Sequence, residues 1–162
     1  MNTRSPHIRR ATKDDAELFL HLIDGLAEFE NLAPPDAEAK KRLVRDMSAT
    51  PPRFEVYLAE MGRTPVGYAI AFETYSTFLA LPTLYLEDLF VLPDYRERGI
   101  GYALFRRIAT EAYRRGCGRM EWAVLDWNQS AIEFYHKMGA TYLKEWNIYR
   151  LTSIALEEIA DK

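Results

Sequence analysis

The most informative stretch of the sequence reads Tyr95-Arg96-Glu97-Arg98-Gly99-Ile100-Gly101. It follows a β-rich run and precedes a helical pattern, so it predicts a turn from a strand into a helix. Glycines in the first turn of a helix leave the backbone N–H groups open to an anion, such as a phosphate or pyrophosphate group. On its own, however, such a glycine pair favours a plain turn over a ligand site.

Two common nucleotide motifs do not fit this turn. The dinucleotide fingerprint requires a third small residue where Leu104 stands, and the nucleotide P-loop requires a Gly-Lys-Ser/Thr sequence that the chain lacks. The turn therefore disfavours NAD and ATP as ligands.

Alternating and β-rich runs predict the strands around this turn. The strand before it and the strand after the following helix should be parallel, because a helix makes the crossover. Two earlier runs, joined by Met61-Gly62-Arg63-Thr64-Pro65, predict an antiparallel hairpin. In all, seven strands are predicted, at residues 7–10, 54–60, 66–75, 83–91, 120–125, 141–146 and 148–153.

Apolar residues at helical spacing predict four helices. The first starts at Thr12, with Asp15 as its capping-box partner, and is broken by Pro34 and Pro35. This order of elements predicts a mixed α/β domain of three layers, a single domain over residues 1–162. The other three helices are predicted at residues 36–47, 99–115 and 130–138.

Composition and charge exclude several classes of function. The net charge of −3 over 162 residues argues against sequence-independent nucleic-acid binding. The chain has no apolar stretch near the ~20 residues that span a bilayer, which disfavours the membrane. The absence of an apolar signal segment and the single cysteine favour the cytoplasm, and no histidine or cysteine spacing indicates a metal site.

Charge is unevenly distributed along the chain. Residues 96–119 contain seven arginines and two glutamates, whereas residues 24–38 contain five acidic residues and no basic one. The first segment suits an anion and the second suits a cation.

Several motifs together resemble one enzyme family. The turn has the pattern Arg-x-x-Gly-x-Gly, a strand ending Leu86-Glu87-Asp88-Leu89-Phe90-Val91 precedes it, and the segment 128–140 follows further along. This combination resembles the GNAT superfamily of acetyl-CoA-dependent N-acetyltransferases. Three stretches are similar to its diamine and thialysine acetyltransferase branch: Ile8-Arg9-Arg10-Ala11-Thr12, Leu26-Ala27-Glu28-Phe29-Glu30 and Leu125-Asp126-Trp127-Asn128-Gln129.

The resemblance implies a GNAT-like three-layer α/β fold, with a mixed, mostly antiparallel twisted sheet of about six to seven strands and about four helices. It also implies acetyl-CoA as the acyl donor, with the turn on the pyrophosphate and the following arginines near the 3′-phosphate. The cofactor-binding residues it implies are Leu89, Phe90, Val91, Arg96, Glu97, Arg98, Gly99, Ile100, Gly101, Tyr102, Asn128, Ser130, Ala131 and Tyr135.

Tyr135 and Glu87 match the family's general acid and general base. A tyrosine hydroxyl, with a pKa near ~10, can protonate a departing thiolate whose pKa is near ~8.5. Without the resemblance, Tyr135 would be one aromatic residue in an apolar stripe. The attacking amine must lose a proton, and Glu87 would accept it through an ordered water.

Carboxylates that bind an ammonium ion also stabilise its charged form, so substrate binding is better supported than base catalysis. In a regular strand Glu87 and Asp88 should point to opposite faces, so that one lines the cleft. Two positions depart from the polyamine branch: Phe29 replaces a tyrosine, and Glu121 replaces a different side chain. The expected substrate-binding residues are Phe29, Glu30, Glu87, Asp88, Glu121 and Trp122.

The expected reaction is direct transfer of acetyl from acetyl-CoA to a primary amine of a small cation, a polyamine or a lysine-like amino acid such as thialysine, in a ternary complex. The resemblance also implies a homodimer. Two alternatives stay open, a GNAT enzyme acting on a protein N-terminus or lysine and a non-catalytic acyl-CoA-binding regulator. A short donor other than acetyl-CoA, such as propionyl-CoA, is also compatible.

Overall fold

A computed structural model of the chain describes residues 5–160, which form two compact units, residues 5–123 and 124–160. The first unit contains strands β1 (His7–Arg10), β2 (Glu55–Met61), β3 (Thr64–Ser76), β4 (Leu81–Val91) and β5 (Arg119–Glu121), and helices α1 (Ala16–Phe29), α2 (Ala37–Ser48) and α3 (Ile100–Arg114). The second unit contains helices α4 (Gln129–Lys137) and α5 (Ser153–Ala160).

The five strands form one mixed sheet in the order β1-β2-β3-β4-β5. Strands β1 to β4 pair antiparallel in succession, and β5 runs parallel to β4. The parallel pairing follows from the crossover through α3, as the sequence predicts. The α/β class and the predicted hairpin between β2 and β3 are therefore confirmed.

Helices cover both faces of the sheet in the first unit. On one face, Ile108 of α3 packs with Leu84 and Leu86 of β4. On the other face, Phe19 of α1 and Met47 of α2 share a core with β2 and β3. Neighbouring residues of β2 alternate between the two cores, as expected for a strand with helices on both sides. The three-layer prediction is therefore confirmed.

Helix α1 ends several residues before Pro34 and Pro35, which were predicted to break it. It stops at Phe29, and Asn31 follows with a φ of 55°. The N–H of Leu32 donates to the carbonyl of Ala27 at 2.9 Å, which satisfies one of the last carbonyls of the helix. A left-handed asparagine therefore ends α1 before Pro34 and Pro35, and Asp36 caps the next helix by accepting from the N–H of Ala39.

The strand and helix counts differ from the prediction. Among residues 5–160, the segments 141–146 and 148–153 form no strand, and α5 begins at Ser153. A strand requires a neighbouring strand, and residues 124–160 supply none, so β propensity alone was a misleading signal there. The fifth strand is also shorter than predicted, and α5 raises the number of helices to five.

The prediction of a single domain over residues 1–162 stays a prediction. Its ends, residues 1–4 and 161–162, lie outside the described residues. Within the described part of the chain, no helix combines the length and the apolar character needed to cross a membrane.

A partly buried ion pair links β1 to the start of α1. The guanidinium of Arg9 bonds both carboxylate oxygens of Asp15, at 2.8 and 2.7 Å, and its Nε donates to Glu60 at 2.8 Å. The backbone N–H of Thr12 also donates to Asp15 at 2.7 Å. Asp15 is only 6% exposed, and the Arg9 hydrogen bonds lower its pKa to about 2.

We expect Asp15→Ala to lower the free energy of unfolding at pH 7 by about 2–3 kcal/mol, because it leaves Arg9 with one acidic partner fewer. The lowered pKa means that this stabilisation is complete above pH ~4 and is lost as the pH falls towards 2. Urea unfolding of both proteins at pH 7 and at low pH measures the difference.

The matched control is Glu38→Ala, which removes an exposed carboxylate that pairs with Lys41 within one helix and should change stability little. Equal urea midpoints for wild type and Asp15→Ala at pH 7 would contradict the role given to this ion pair.

Candidate active site

A β-bulge in β4 puts two neighbouring carboxylates on the same face of the sheet. Asp88 pairs with Ile70 and Leu86 pairs with Ala71, so Glu87 is the extra residue of the bulge. Both Glu87 and Asp88 line one cavity of about 490 Å³. The expectation that these two side chains point to opposite faces is therefore wrong, because period-two alternation fails at a bulge.

The rest of the cavity is mostly apolar. Arg53 also lines it, and its Nε lies 3.7 Å from Oδ1 of Asp46, which offsets part of its charge. An apolar cavity with carboxylates on one wall suits an alkyl chain that carries an ammonium group. The other lining residues are Ile23, Pro35, Leu43, Phe54, Ile70 and Phe72.

Asp88 is the carboxyl group whose ionisation the site perturbs most. The hydroxyl of the fully buried Tyr68 donates to its Oδ2 at 3.1 Å. The pKa of Asp88 is raised to about 6, mainly by burial; the Tyr68 hydrogen bond opposes this rise, and the nearby charges of Glu87 and Glu30 add to it. Asp88 therefore changes charge much closer to neutral pH than an ordinary aspartate does.

Glu30 extends the acidic region to the end of α1. It is the C-cap residue of that helix, and burial raises its pKa. Its charge also contributes to the raised pKa values of Asp88 and Tyr68. Carboxyl groups from α1 and β4 thus act on one another, and a cation among them would favour their ionised forms.

The turn before α3 presents an uncapped helix N-terminus. Gly99 is the N-cap residue, with a φ of 76°, and Glu97 also has a positive φ of 60°. No side chain of the described residues caps α3, and its first turn contains no acidic residue. The backbone N–H groups of this turn and the positive end of the helix are therefore arranged for an anion.

Neither packing nor backbone conformation requires a glycine at position 101. A Cβ atom built there would meet nothing within 4 Å, and its φ is not in the left-handed region that Gly99 occupies. Because glycine is a poor helix former, alanine would stabilise α3 at this position. The open space above Gly101 therefore fits a ligand that approaches the first turn of α3.

The arginines of α3 and those of the turn before it have different surroundings. Arg107, Arg114 and Arg115 each pair with Glu111, at 3.0, 3.6 and 3.5 Å. The positive surplus of α3 is therefore partly neutralised by its own glutamate. On the turn itself, the guanidinium of Arg98 lies 5.4 Å from the ring centroid of Tyr95, and Arg96 is described below.

The end of β4 is closely paired with β3. A Cβ at Gly67 would lie 2.6 Å from the carbonyl oxygen of Phe90, so only glycine permits this approach. The N–H of Leu92 then donates to the carbonyl of Val66 at 2.9 Å. Leu89, Phe90 and Val91 are thus held at the end of the strand that leads into the turn.

Arg96 and Phe29, which the sequence assigned to different ligands, contact each other. The guanidinium carbon of Arg96 lies 4.4 Å from the ring centroid of Phe29, and its Nε donates to the carbonyl of Val91 at 2.9 Å. The end of α1 and the turn before α3 therefore meet at this point.

Glu121 and Trp122 lie on and beside β5, and neither is among the residues that line the cavity. Glu121 pairs with Tyr85 across the ladder, and its Oε1 forms an ion pair with Nε of Arg119 at 2.9 Å. Trp122 packs edge-to-face on Phe105 of α3, with ring centroids 5.4 Å apart. Their assignment to the substrate stays a prediction.

In the second unit, Asn128 is the N-cap of α4, and its side chain accepts from the N–H of Ala131 at 3.2 Å. Ser130 lies in the first turn of the same helix. Burial raises the pKa of Tyr135 to about 12, so its hydroxyl keeps its proton at neutral pH. That protonation state is the one a general acid requires.

Sequence reasoning did not single out Tyr68 or Gly67. Both lie in the β-rich run 66–75, but their importance comes from β4, twenty residues further along. The signal that could have found them is the register of the hairpin between β3 and β4, which places Tyr68 beside the residues around Asp88.

Comparison with known proteins agrees with this geometry. Residues 20–140 match the model of the acetyltransferase (GNAT) family. The chain belongs to the GNAT acetyltransferase family. A GNAT enzyme transfers an acetyl group and uses acetyl-CoA as its donor. Among residues 5–160 of this GNAT protein, no three or more His, Cys, Asp or Glu side chains are placed to hold a metal ion.

Three similar proteins illustrate the relationship. Thialysine N-epsilon-acetyltransferase of Bos taurus is 34% identical over 166 residues, covering 96% of this chain and 97% of its own. Spermidine/spermine N(1)-acetyltransferase-like protein 1 of Homo sapiens is 31% identical over 94% of this chain and 23% of its own. A solved integron cassette protein of V. cholerae superposes with a TM-score of 0.81 at 25% identity, covering 98% and 99% of the two chains. This GNAT enzyme therefore shares the fold and acetylates an amine.

Asp88→Asn tests the pKa assigned to the site. We expect kcat/KM of the wild-type GNAT enzyme for a cationic amine to fall below pH ~6, where Asp88 becomes protonated and loses its attraction for the cation. The variant should be less active, and that inflection should be missing from its pH profile. Initial rates between pH 5 and 8 measure both.

The same substitution should stabilise the fold. The folded-state pKa of Asp88 is raised from 3.8 to about 6, so its charge costs stability as the pH rises through this window. At pH 7 Asp88→Asn should raise the free energy of unfolding by up to about 3 kcal/mol. Asp94→Asn, at an exposed carboxylate of the next turn, is the control and should change neither property. An unchanged pH profile in Asp88→Asn would contradict the assignment.

Proposed function

We propose that the protein transfers the acetyl group of acetyl-CoA directly to a primary amine of a small cationic molecule, within a ternary complex. The substrate class is a polyamine or a lysine-like amino acid such as thialysine. The observation that carries this proposal is the carboxylate pair Glu87 and Asp88 on one wall of an otherwise mostly apolar cavity. The similarity to a thialysine acetyltransferase and to a spermidine/spermine acetyltransferase-like protein supports the same class.

The shape and charge of the cavity support a small substrate. Its apolar walls can cover methylene groups, whose burial is worth about 0.8 kcal/mol each. The carboxylates of Glu87 and Asp88 supply the charge that an ammonium group requires, and Glu30 adds negative potential from the end of α1. An alkyl amine with one buried positive end satisfies both requirements.

The turn before α3 would hold the pyrophosphate of the donor. Gly101 supports this assignment, because a Cβ there would contact no atom of the chain. The lack of a side chain instead leaves the backbone N–H groups of the first turn accessible to an anion. Arg96 and Arg98 would supply positive charge, and the backbone of residues 89–91 would bind the pantetheine arm. Asn128, Ser130, Ala131 and Tyr135, which lie in the second unit, are proposed to bind the donor as well. When bound, the donor supplies an activated acetyl thioester.

Two side chains would move the protons. An alkyl ammonium has a pKa near ~10.4, so a base must accept its proton before attack. Glu87 would act through an ordered water, and Asp88 beside it titrates close enough to neutral pH to share that role. The hydroxyl of Tyr135 would return a proton to the departing thiolate sulfur.

The remaining expectations belong to the same proposal. Phe29, Glu121 and Trp122 would border the acceptor, the enzyme would be a homodimer, and it would work in the cytoplasm without nucleic-acid, membrane or metal partners. Sedimentation of the purified protein at micromolar concentration measures the oligomeric state directly.

The central experiment measures CoA release from acetyl-CoA with a panel of amines: spermidine, spermine, putrescine, thialysine, lysine, an aminoglycoside and a basic peptide. We expect a strong response to one small aliphatic amine. Tyr135→Phe should reduce that turnover by at least about a hundredfold, because it removes the acid while keeping the ring. Turnover of the peptide alone would overturn the small-cation assignment and favour a protein substrate.

Gly101→Ala tests the donor site separately. We expect its thermal stability to be unchanged or slightly raised, because a Cβ there meets no atom of the chain. We expect CoA binding to weaken by about tenfold or more, because the methyl group blocks hydrogen bonds between an anion and the backbone. Calorimetric titration with CoA measures the affinity.

Gly62→Ala is the matched control. Gly62 has a φ of 70° in the hairpin between β2 and β3, so alanine should lower stability there and leave CoA affinity unchanged. If Gly101→Ala binds CoA as tightly as the wild type, the pyrophosphate does not lie on the first turn of α3.

A further inference from the structure

The guanidinium of Arg96 lies against two aromatic rings. Its central carbon is 4.4 Å from the ring centroid of Phe29 and 5.7 Å from that of Phe90. The two rings also contact each other, with centroids 6.4 Å apart and planes inclined at 47°. Arg96 Nε donates to the carbonyl of Val91 at 2.9 Å, so rings and hydrogen bond together define the direction of the side chain.

This arrangement keeps the positive charge of Arg96 available. No acidic residue within the described part of the chain forms an ion pair with it, in contrast to Arg107 and Arg115. A guanidinium that stacks through its face still presents N–H groups along its edge. The aromatic contacts can therefore hold Arg96 in place without neutralising the charge that an anionic ligand needs.

Phe29 brings the end of α1 to this arginine. It is the last residue of the helix, and Glu30, whose charge acts on Asp88, comes next. The helix can approach β4 closely because it has Gly25, where a Cβ would lie 3.2 Å from the ring of Phe90. Phe29 thus contacts the turn before α3, while the charge of the next residue, Glu30, acts on Asp88.

We propose that Phe29 is a positioning residue for the donor site: with Phe90 it holds Arg96, and through Arg96 the turn that carries Gly99 and Gly101, in the orientation that binds the donor. This inference rests on the proposed function, which places the pyrophosphate on that turn. This role is additional to the proposed place of Phe29 beside the acceptor. It also links the helix that borders the acceptor cavity to donor affinity.

The test compares Phe29→Leu with Phe29→Tyr by calorimetric titration with CoA and by steady-state kinetics. Leucine keeps an apolar contact but removes the aromatic face, so CoA should bind about three- to tenfold more weakly, with a parallel rise in KM for acetyl-CoA. Tyrosine keeps the face and should restore affinity to within about twofold of the wild type. KM for the amine should change less than KM for acetyl-CoA.

Phe19→Leu is the matched control for packing. Phe19 lies on the same helix, is fully buried, and contacts Phe54 and Tyr68 instead of Arg96. It should lower the thermal midpoint and leave CoA affinity unchanged. Equal loss of CoA affinity in Phe19→Leu and Phe29→Leu would overturn the proposal, because helix packing alone would then explain both.

A double-mutant cycle with Arg96→Lys tests whether Phe29 acts through Arg96. Lysine keeps the charge but loses the planar group that stacks, so adding Phe29→Leu to it should cost less than about twofold in CoA affinity. A full additional loss, or a rise confined to KM for the amine, would overturn the positioning role. If the wild-type protein binds no CoA, the donor site itself is wrong. If it binds CoA and Phe29→Leu binds equally well, only the role of Phe29 fails.

Discussion

The antiparallel pairing of β3 with β4 is the interaction on which the first unit and its site depend. These two strands carry residues of both cores, on the α3 face and on the α1 and α2 face. At one end the strands approach so closely that Gly67 accepts no side chain, and β4 then leads directly into the turn before α3. The register of this pair therefore decides where both the acids and the turn lie.

Within that ladder, the one extra residue of the β4 bulge places two carboxylates on the wall of the cavity. The bulge at Glu87 turns it and Asp88 to the same side, where burial and mutual repulsion oppose the ionisation of Asp88. Such a pair costs stability in the folded protein, and a cationic ligand would relieve that cost. In the proposed function, this unfavourable charge is what would make this wall of the cavity bind a cationic amine.

Helix α1 connects the two halves of this unit's site. Its end is set by a left-handed Asn31 and not by the prolines that follow, which leaves Phe29 and Glu30 at the last turn of the helix. One of them stacks on Arg96, and the other adds its charge to the acidic region. A shift of α1 would therefore change the surroundings of the turn and of the carboxylates together.

Four features could be predicted from the amino-acid sequence alone: the α/β class, the strand-turn-helix before α3, the hairpin of β2 and β3, and the family. Each of them depends on the local spacing of apolar residues, glycines and motif residues. The tertiary contacts were needed to show that Glu87 and Asp88 share a face, that Tyr68 donates to Asp88, and that the guanidinium of Arg96 lies over the ring of Phe29. The structure also showed that residues 141–153 form no strand, despite their β-rich composition. The reason is physical: a bulge, a ladder partner and a stacking contact depend on pairing between distant segments, which local periodicity does not encode.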